Sequence, residues 1–271
     1  MFLWALKPSQ SPEILDQENE DLRREAYRLY LGLLVAVPFF SSGRLTSLTG
    51  ANSDGVPRVR SLSTYQRTFF TLGAPTPAVT IQRANLAARL AAALKQHDHI
   101  DGHGRFVRAL RTFREACESG NLDQRLHQFV RCMEGFVAPP FKQSGVQFAK
   151  RLKRLCAGRA SRQLRDLYTI RGGIEHLHGP YDRLPKGLSK RERRTRLLIR
   201  CFEAEALARY LILTYLRNPP LWPHFITRAS IEAFWALKPA QFRSLWPTRI
   251  HYPSISKEFD YQALERHEND A

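Results

Sequence analysis

An all-α fold is what this sequence predicts, on three observations. Strong helix formers recur in runs whose apolar residues fall every three or four positions, as in Leu22, Ala26, Leu29, Leu33 and Val37. Cap and stop residues divide those runs: Gly120 before Asn121, the Pro139-Pro140 pair, Ser189 three residues before Glu192, and Asn218-Pro219-Pro220. Residues that favour strands concentrate in a single stretch, 62–72, with Tyr65, Thr68, Phe69, Phe70 and Thr71.

In chain order, a first amphipathic helix is expected over 16–37, ended by Pro38, and the Ser, Gly, Thr and Asn content of 39–60 reads as a loop. Short extended pieces are expected within 62–72. After Pro75 and Pro77 an alanine-rich helix should reach Gln96, and 98–104 then serves as a linker and as the main domain boundary. A helical bundle follows over 105–217. Its helices are expected at 105–118, at 121–137 with Asn121 as N-cap, at 145–156, at 161–178, and at 190–217 behind a Ser189/Glu192 capping box. Three regions result: an N-terminal accessory region 1–104, mostly helical with short strands; the bundle 105–217; and C-terminal accessory helices with a polar tail, 218–271. One main core is expected.

The chain has 271 residues, with 42 Lys and Arg against 25 Asp and Glu, a formal net charge of +17. An excess of that size suits a polyanionic partner, because binding phosphates releases condensed counterions. A membrane is not expected: the longest apolar run, Leu29 to Phe40, is 12 residues, short of the roughly 20 needed to span a bilayer. Met1 to Leu6, followed by Lys7 and Pro8, has no cleavage pattern of a secretory signal. Cys117, Cys132, Cys156 and Cys201 are widely spaced with no C-x-x-C pair, which predicts buried, reduced thiols and a cytoplasmic setting.

Chemistry concentrates in Leu167-Tyr168-Thr169-Ile170-Arg171-Gly172-Gly173-Ile174-Glu175-His176-Leu177-His178-Gly179. Adjacent glycines inside a helix cost about 1 kcal/mol each relative to alanine, so a close approach of another backbone or of a nucleic-acid strand is expected there. At about 100° per residue, Glu175 and His178 lie within roughly 40° of Arg171, and His176 about 140° away. If the helix ends near Glu175, His176 leaves that register and can come level with the arginine; the sequence leaves both histidines open. A guanidinium and an imidazole suit RNA cleavage by 2′-hydroxyl attack without a metal or other cofactor. One such pair supplies one acid/base group, so a twofold dimer would supply the second.

This string, near the end of one helix and followed by a long helix, resembles the HEPN ribonuclease superfamily, in which an Arg, four to six residues and then a His lie at the dimer interface of a helical bundle. Arg125-Leu126-His127-Gln128-Phe129-Val130 and the run Leu167 to Ile170 strengthen the likeness, which covers residues 105–217. The resemblance implies an HEPN-like bundle, a homodimer and an endoribonuclease, in bacterial defence or as a toxin, with a regulatory partner protein among its implied contacts. By position Arg171 takes the arginine place, His176 the histidine place at the shorter spacing, and His178 the place at the longer one. Glu175 would orient a histidine. Many members carry a polar residue directly after the arginine, where this chain has Gly172, and some toxin members carry a tyrosine two places after the histidine, where this chain has His178.

Flanking basic residues supply the expected RNA-binding surface: Arg183, Lys186, Lys190, Arg191, Arg193 and Arg194, continued by Arg196 and Arg200. Arg151, Lys153, Arg154, Arg159, Arg162 and Arg165 are read as an extension of it. His97, His99 and His103 with Asp98 and Asp101 fit no standard zinc spacing and read as linker. Trp222, Trp235 and Trp246, among Phe225, Phe234 and Phe242, read as packing residues rather than a base-stacking surface. Two rival functions remain: a non-catalytic RNA-binding or interaction module, and a helical DNA-binding regulator, for which no recognition helix is evident.

Overall fold

The computed structural model describes residues 17–38, 46–53, 56–69, 79–98, 104–176, 184 and 187–262. Ten α-helices and four short strands occur among these residues. The first, α1 (Gln17–Ala36), is followed by an antiparallel ladder of β1 (Thr46–Ser53) and β2 (Val56–Thr64), pairing Thr46 with Thr64 and Ser53 with Val56. The ladder differs from the loop expected over 39–60. Its Ser, Thr, Gly and Asn residues carry no apolar alternation, and strand formation there rests on backbone pairing; Asp54-Gly55, a hairpin-turn dipeptide, is the one local signal. Residues 70–72 of the expected extended stretch lie outside the described residues.

The helix α2 (Ile81–His97) packs closely on α1, where a Cβ on Gly32 would lie 2.3 Å from the Ala87 carbonyl oxygen. Ion pairs of Arg28 with Asp98 (2.7 Å) and Lys95 with Glu25 (3.1 Å) tie the two helices together. Next come α3 (Gly104–Glu118), α4 (Leu122–Val137), α5 (Ser144–Leu155) and α6 (Ser161–Glu175). Asn121 caps α4 as its sequence implies, its side chain accepting from the backbone N–H groups of Asp123 (2.9 Å) and Gln124 (3.1 Å).

The longest helix, α7 (Lys190–Leu216), starts from the expected capping box: Ser189 N–H donates to the Glu192 carboxylate (2.7 Å) and the Ser189 hydroxyl accepts from Glu192 N–H (3.2 Å). From Leu197 onward most of its residues are buried, so it runs through the middle of the bundle. A 3₁₀ turn (Pro219–Phe225), α8 (Arg228–Ala236), α9 (Pro239–Leu245) and α10 (Tyr252–Lys257) fold back over it. Two-residue strands β3 (Cys156–Ala157) and β4 (Ile250–His251) pair in parallel and fasten this C-terminal layer to the α5–α6 connection.

One buried apolar cluster spans all of these layers, from Tyr30 in α1 to Phe259 beyond α10. Trp222, Trp235 and Trp246 are buried in it, with Trp246 close to Phe225 and Phe234, which makes them packing residues. His97 belongs to the same core, its ring 2.9 Å from the Tyr215 hydroxyl of α7, while His99, Asp101 and His103 lie outside the described residues. All four cysteines are buried without a disulfide, and burial pushes the Cys117 thiol up to about 12. No helix among the described residues is long and apolar enough to cross a membrane.

Candidate active site

Two helix faces meet where α4 packs on α6. On α4, His127, Arg131 and Glu134 follow at spacings of four and three, so they share one face; on α6, Tyr168, Arg171 and Glu175 do the same at three and four. Arg171 Nη2 donates to Glu134 at 2.9 Å, its Nη1 donates to Glu175 one turn on, and its guanidinium carbon lies 5.7 Å from the centre of the Tyr168 ring. Its side chain is 13% exposed and that of Glu134 19%, against 41% for Glu175. The inner carboxylate therefore fixes the arginine, and the outer one is the partner a ligand can replace.

Burial pushes the Glu134 carboxyl above its ordinary range, Glu175 adds to that, and the positive charges of Arg171 and Arg131 with a Tyr168 hydrogen bond pull the other way. His127 moves down: burial of the half-buried ring comes first, then the charges of Arg171 and Arg131, opposed by Glu175. Its Nε2 is shut off from solvent with no hydrogen-bond partner among the described residues, as are Arg171 Nε and the Gln128 carbonyl oxygen.

The helix α6 stops at Glu175, and His176 is its C-cap at φ −91° and ψ 19°, with its N–H on the Gly172 carbonyl at 3.2 Å. Its ring is exposed and makes no hydrogen bond among the described residues. The helix ends where the shorter alternative put it, but His176 still makes the i→i−4 bond of the helix, so its Cβ stays about 140° around the axis from Arg171. Glu175 bonds the arginine; among the described residues it bonds no histidine. His178 lies outside the described residues. A Cβ on Gly172 would meet nothing within 4 Å among the described residues, so no backbone described here accounts for that glycine.

Of the basic residues expected to meet RNA, Lys190, Arg191 and Arg194 are exposed on the first turns of α7 and Arg193 is half-buried; Arg183 and Lys186 lie outside the described residues. The RNA-facing role expected of Arg151 and Arg154 in the extension, and of Arg200 in the run from Arg183, is corrected by their surroundings. Arg151 donates to the Ala138 carbonyl (3.0 Å), where Ala138 is left-handed at φ 41°, and pairs with Glu232. Arg154 donates to the Leu237 carbonyl (2.8 Å) and stacks 3.9 Å from the Phe242 ring centre. Arg200 is buried against Glu203 and Asp166. Each has an internal carbonyl or carboxylate to satisfy, and sequence spacing carries no record of that. Glu134 and Arg131 carry no sequence signal for the complementary reason: they lie on another helix, and only packing brings them to Arg171.

No family model, no curated protein and no solved structure matches the chain.

Proposed function

We propose that this chain is a metal-independent endoribonuclease that cleaves RNA as a homodimer. One observation carries the reading: a mostly buried guanidinium, held from behind by Glu134, lies one turn before the end of a helix whose C-cap is an exposed histidine. A phosphodiester entering from the Glu175 side would exchange that exposed carboxylate for its own oxygens on the Arg171 fork. The 2′-hydroxyl then attacks phosphorus, an imidazole takes its proton, and the P–O5′ bond breaks. The products are a 2′,3′-cyclic phosphate and a 5′-hydroxyl, and the leaving oxygen takes a proton from the second imidazole, that of the twin chain. Of the two candidate imidazoles, His176 and His178, that of His176 lies among the described residues and is assigned this work. The uncovered surface at Gly172 is where a twin helix or the RNA strand fits.

The setting of bacterial defence or toxin action, with a regulatory protein, rests on the resemblance of the Arg171 to His178 segment to HEPN ribonucleases. A second reading, a non-catalytic RNA-binding module, is favoured by one specific fact: both terminal nitrogens of Arg171 are already on carboxylates. Incubation of mixed cellular RNA with wild type, Arg171→Ala and His176→Ala, with and without EDTA, separates the two. Nuclease action requires cleavage that EDTA spares and that both substitutions abolish while RNA affinity holds within a few-fold. Intact RNA beside wild type at every dose discards the catalytic reading, and duplex DNA outcompeting RNA at matched salt discards both.

A further inference from the structure

A second feature lies on α7, away from the Arg171 cluster. The first three turns of this helix contribute Arg191, Glu192, Thr195, Arg196 and Ile199, which with Leu188 before the helix and Tyr261 line an open groove of about 480 Å³. That volume falls within the roughly 300–1,000 Å³ of small-ligand sites. Leu188 and Ile199 give it apolar lining. Tyr261 is 54% exposed, and it stands there because Phe259, 5.1 Å from its ring centre, is buried against Phe202 of the same helix at 5.9 Å. An aromatic ring held by a buried neighbour and left open to solvent is a stacking platform already ordered.

The charge around the groove selects the ligand. Lys190, Arg191, Arg193, Arg194 and Arg196 surround one acid, Glu192, whose carboxylate is occupied by the backbone N–H of Ser189. The helix N-terminus is thus capped from within, and an incoming anion meets guanidinium groups instead. Arg196 has no ion pair or hydrogen bond among the described residues. Apolar, aromatic and guanidinium groups lining one groove fit a nucleobase joined to its phosphate.

We propose that this groove is a nucleotide-binding subsite for single-stranded RNA, in which a base stacks on Tyr261 beside Ile199 and Leu188 while Arg196 holds the adjoining phosphate. It rests on RNA being the ligand of this protein and is independent of whether the RNA is cut. Stacking on an aromatic ring is tolerant of base identity, so the subsite grips the strand without choosing a sequence.

Fluorescence anisotropy of the full chain with a labelled 12-nucleotide single-stranded RNA, and with an abasic strand of equal length, tests this. Tyr261→Ala should weaken RNA binding by about 5- to 100-fold, Tyr261→Phe should keep it, and neither should change affinity for the abasic strand. Arg196→Ala should lower the slope of log affinity against log salt by about 0.7, the value for one phosphate contact on a single strand. Undiminished RNA binding by Tyr261→Ala overturns the subsite, as does an equal loss on the abasic strand. A changed sedimentation coefficient of Tyr261→Ala with RNA affinity intact also overturns it, assigning the groove to a second copy of the chain. If Arg171→Ala abolishes cleavage while Tyr261→Ala binds as wild type, the subsite alone falls; if wild type binds no RNA, the proposed function falls with it.

Discussion

Replacing Arg171 by alanine is expected to destabilise the fold as well as remove activity, and the size follows from the two carboxylates that it touches. The bond to Glu134 joins side chains that are 13% and 19% exposed, so water cannot make good its loss. Hydrogen bonds to charged groups contribute about 1.5–3 kcal/mol in such settings. The bond to Glu175 ends on a 41% exposed carboxylate and adds about 0–1 kcal/mol. About 2 kcal/mol is the expected loss, or about 30-fold in the folded-to-unfolded ratio, and about 4–8 °C in Tm. Most of it is the isolation of Glu134, so Arg171→Ala with Glu134→Gln should recover at least half. Urea unfolding followed by circular dichroism, fitted at constant m, measures all three proteins. A single variant as stable as wild type, or a double variant no better than the single, refutes the account of Glu134 as a buried anchor. The double variant is also the proper control for RNA cleavage, since it removes the guanidinium from a protein of near-native stability.

Two glycines should respond in opposite directions to alanine. Gly32→Ala forces a Cβ onto the Ala87 carbonyl at 2.3 Å and should cost about 1–3 kcal/mol as α1 moves off α2, more than the gain of up to about 1 kcal/mol in helix propensity, readable in urea. Gly172→Ala meets nothing within 4 Å and should stabilise the single chain by about 0.5 kcal/mol, yet reduce RNA cleavage if a strand or twin helix crosses there; full activity in that variant removes the glycine from the proposed site. His127 gives the pH test. Its value is lower in the folded chain than in the unfolded one, so its effect on stability is absent above about pH 6.5 and a loss sets in as pH falls through that value toward the folded one. His127→Gln should therefore flatten this part of the stability-against-pH curve, and an unchanged slope between pH 6.5 and 5 contradicts the downward shift of this half-buried imidazole.

The segments legible in sequence are those whose signals are local. Asn121 and the Ser189/Glu192 pair are cap residues whose hydrogen bonds reach only two or three residues, so the starts of α4 and α7 were already written there. Apolar periodicity likewise placed α1 through α7 to within a few residues, because a helix closes its hydrogen bonds within one turn. Of the β1–β2 ladder only Leu62 to Thr64 fell in the stretch read as extended; the rest was not legible, since polar residues without alternation take strand form only when a partner strand completes their backbone bonds.

Charge shows the same division most clearly. The sequence by itself determined that the chain is strongly basic, that its elements are helical, and that one Arg-Gly-Gly-Ile-Glu-His string stands out. Only the tertiary structure decided which cations face outward. Arg151, Arg154 and Arg200 went inward to satisfy carbonyls and carboxylates on distant helices, while Arg191 and Arg194 stayed on the surface. It also decided that Arg171 is anchored by Glu134, 37 residues earlier, and that Tyr261 faces the start of α7. The physical reason is reach: helix and cap bonds join near neighbours in the chain, whereas ion pairs, ring contacts and burial join whatever packing brings together.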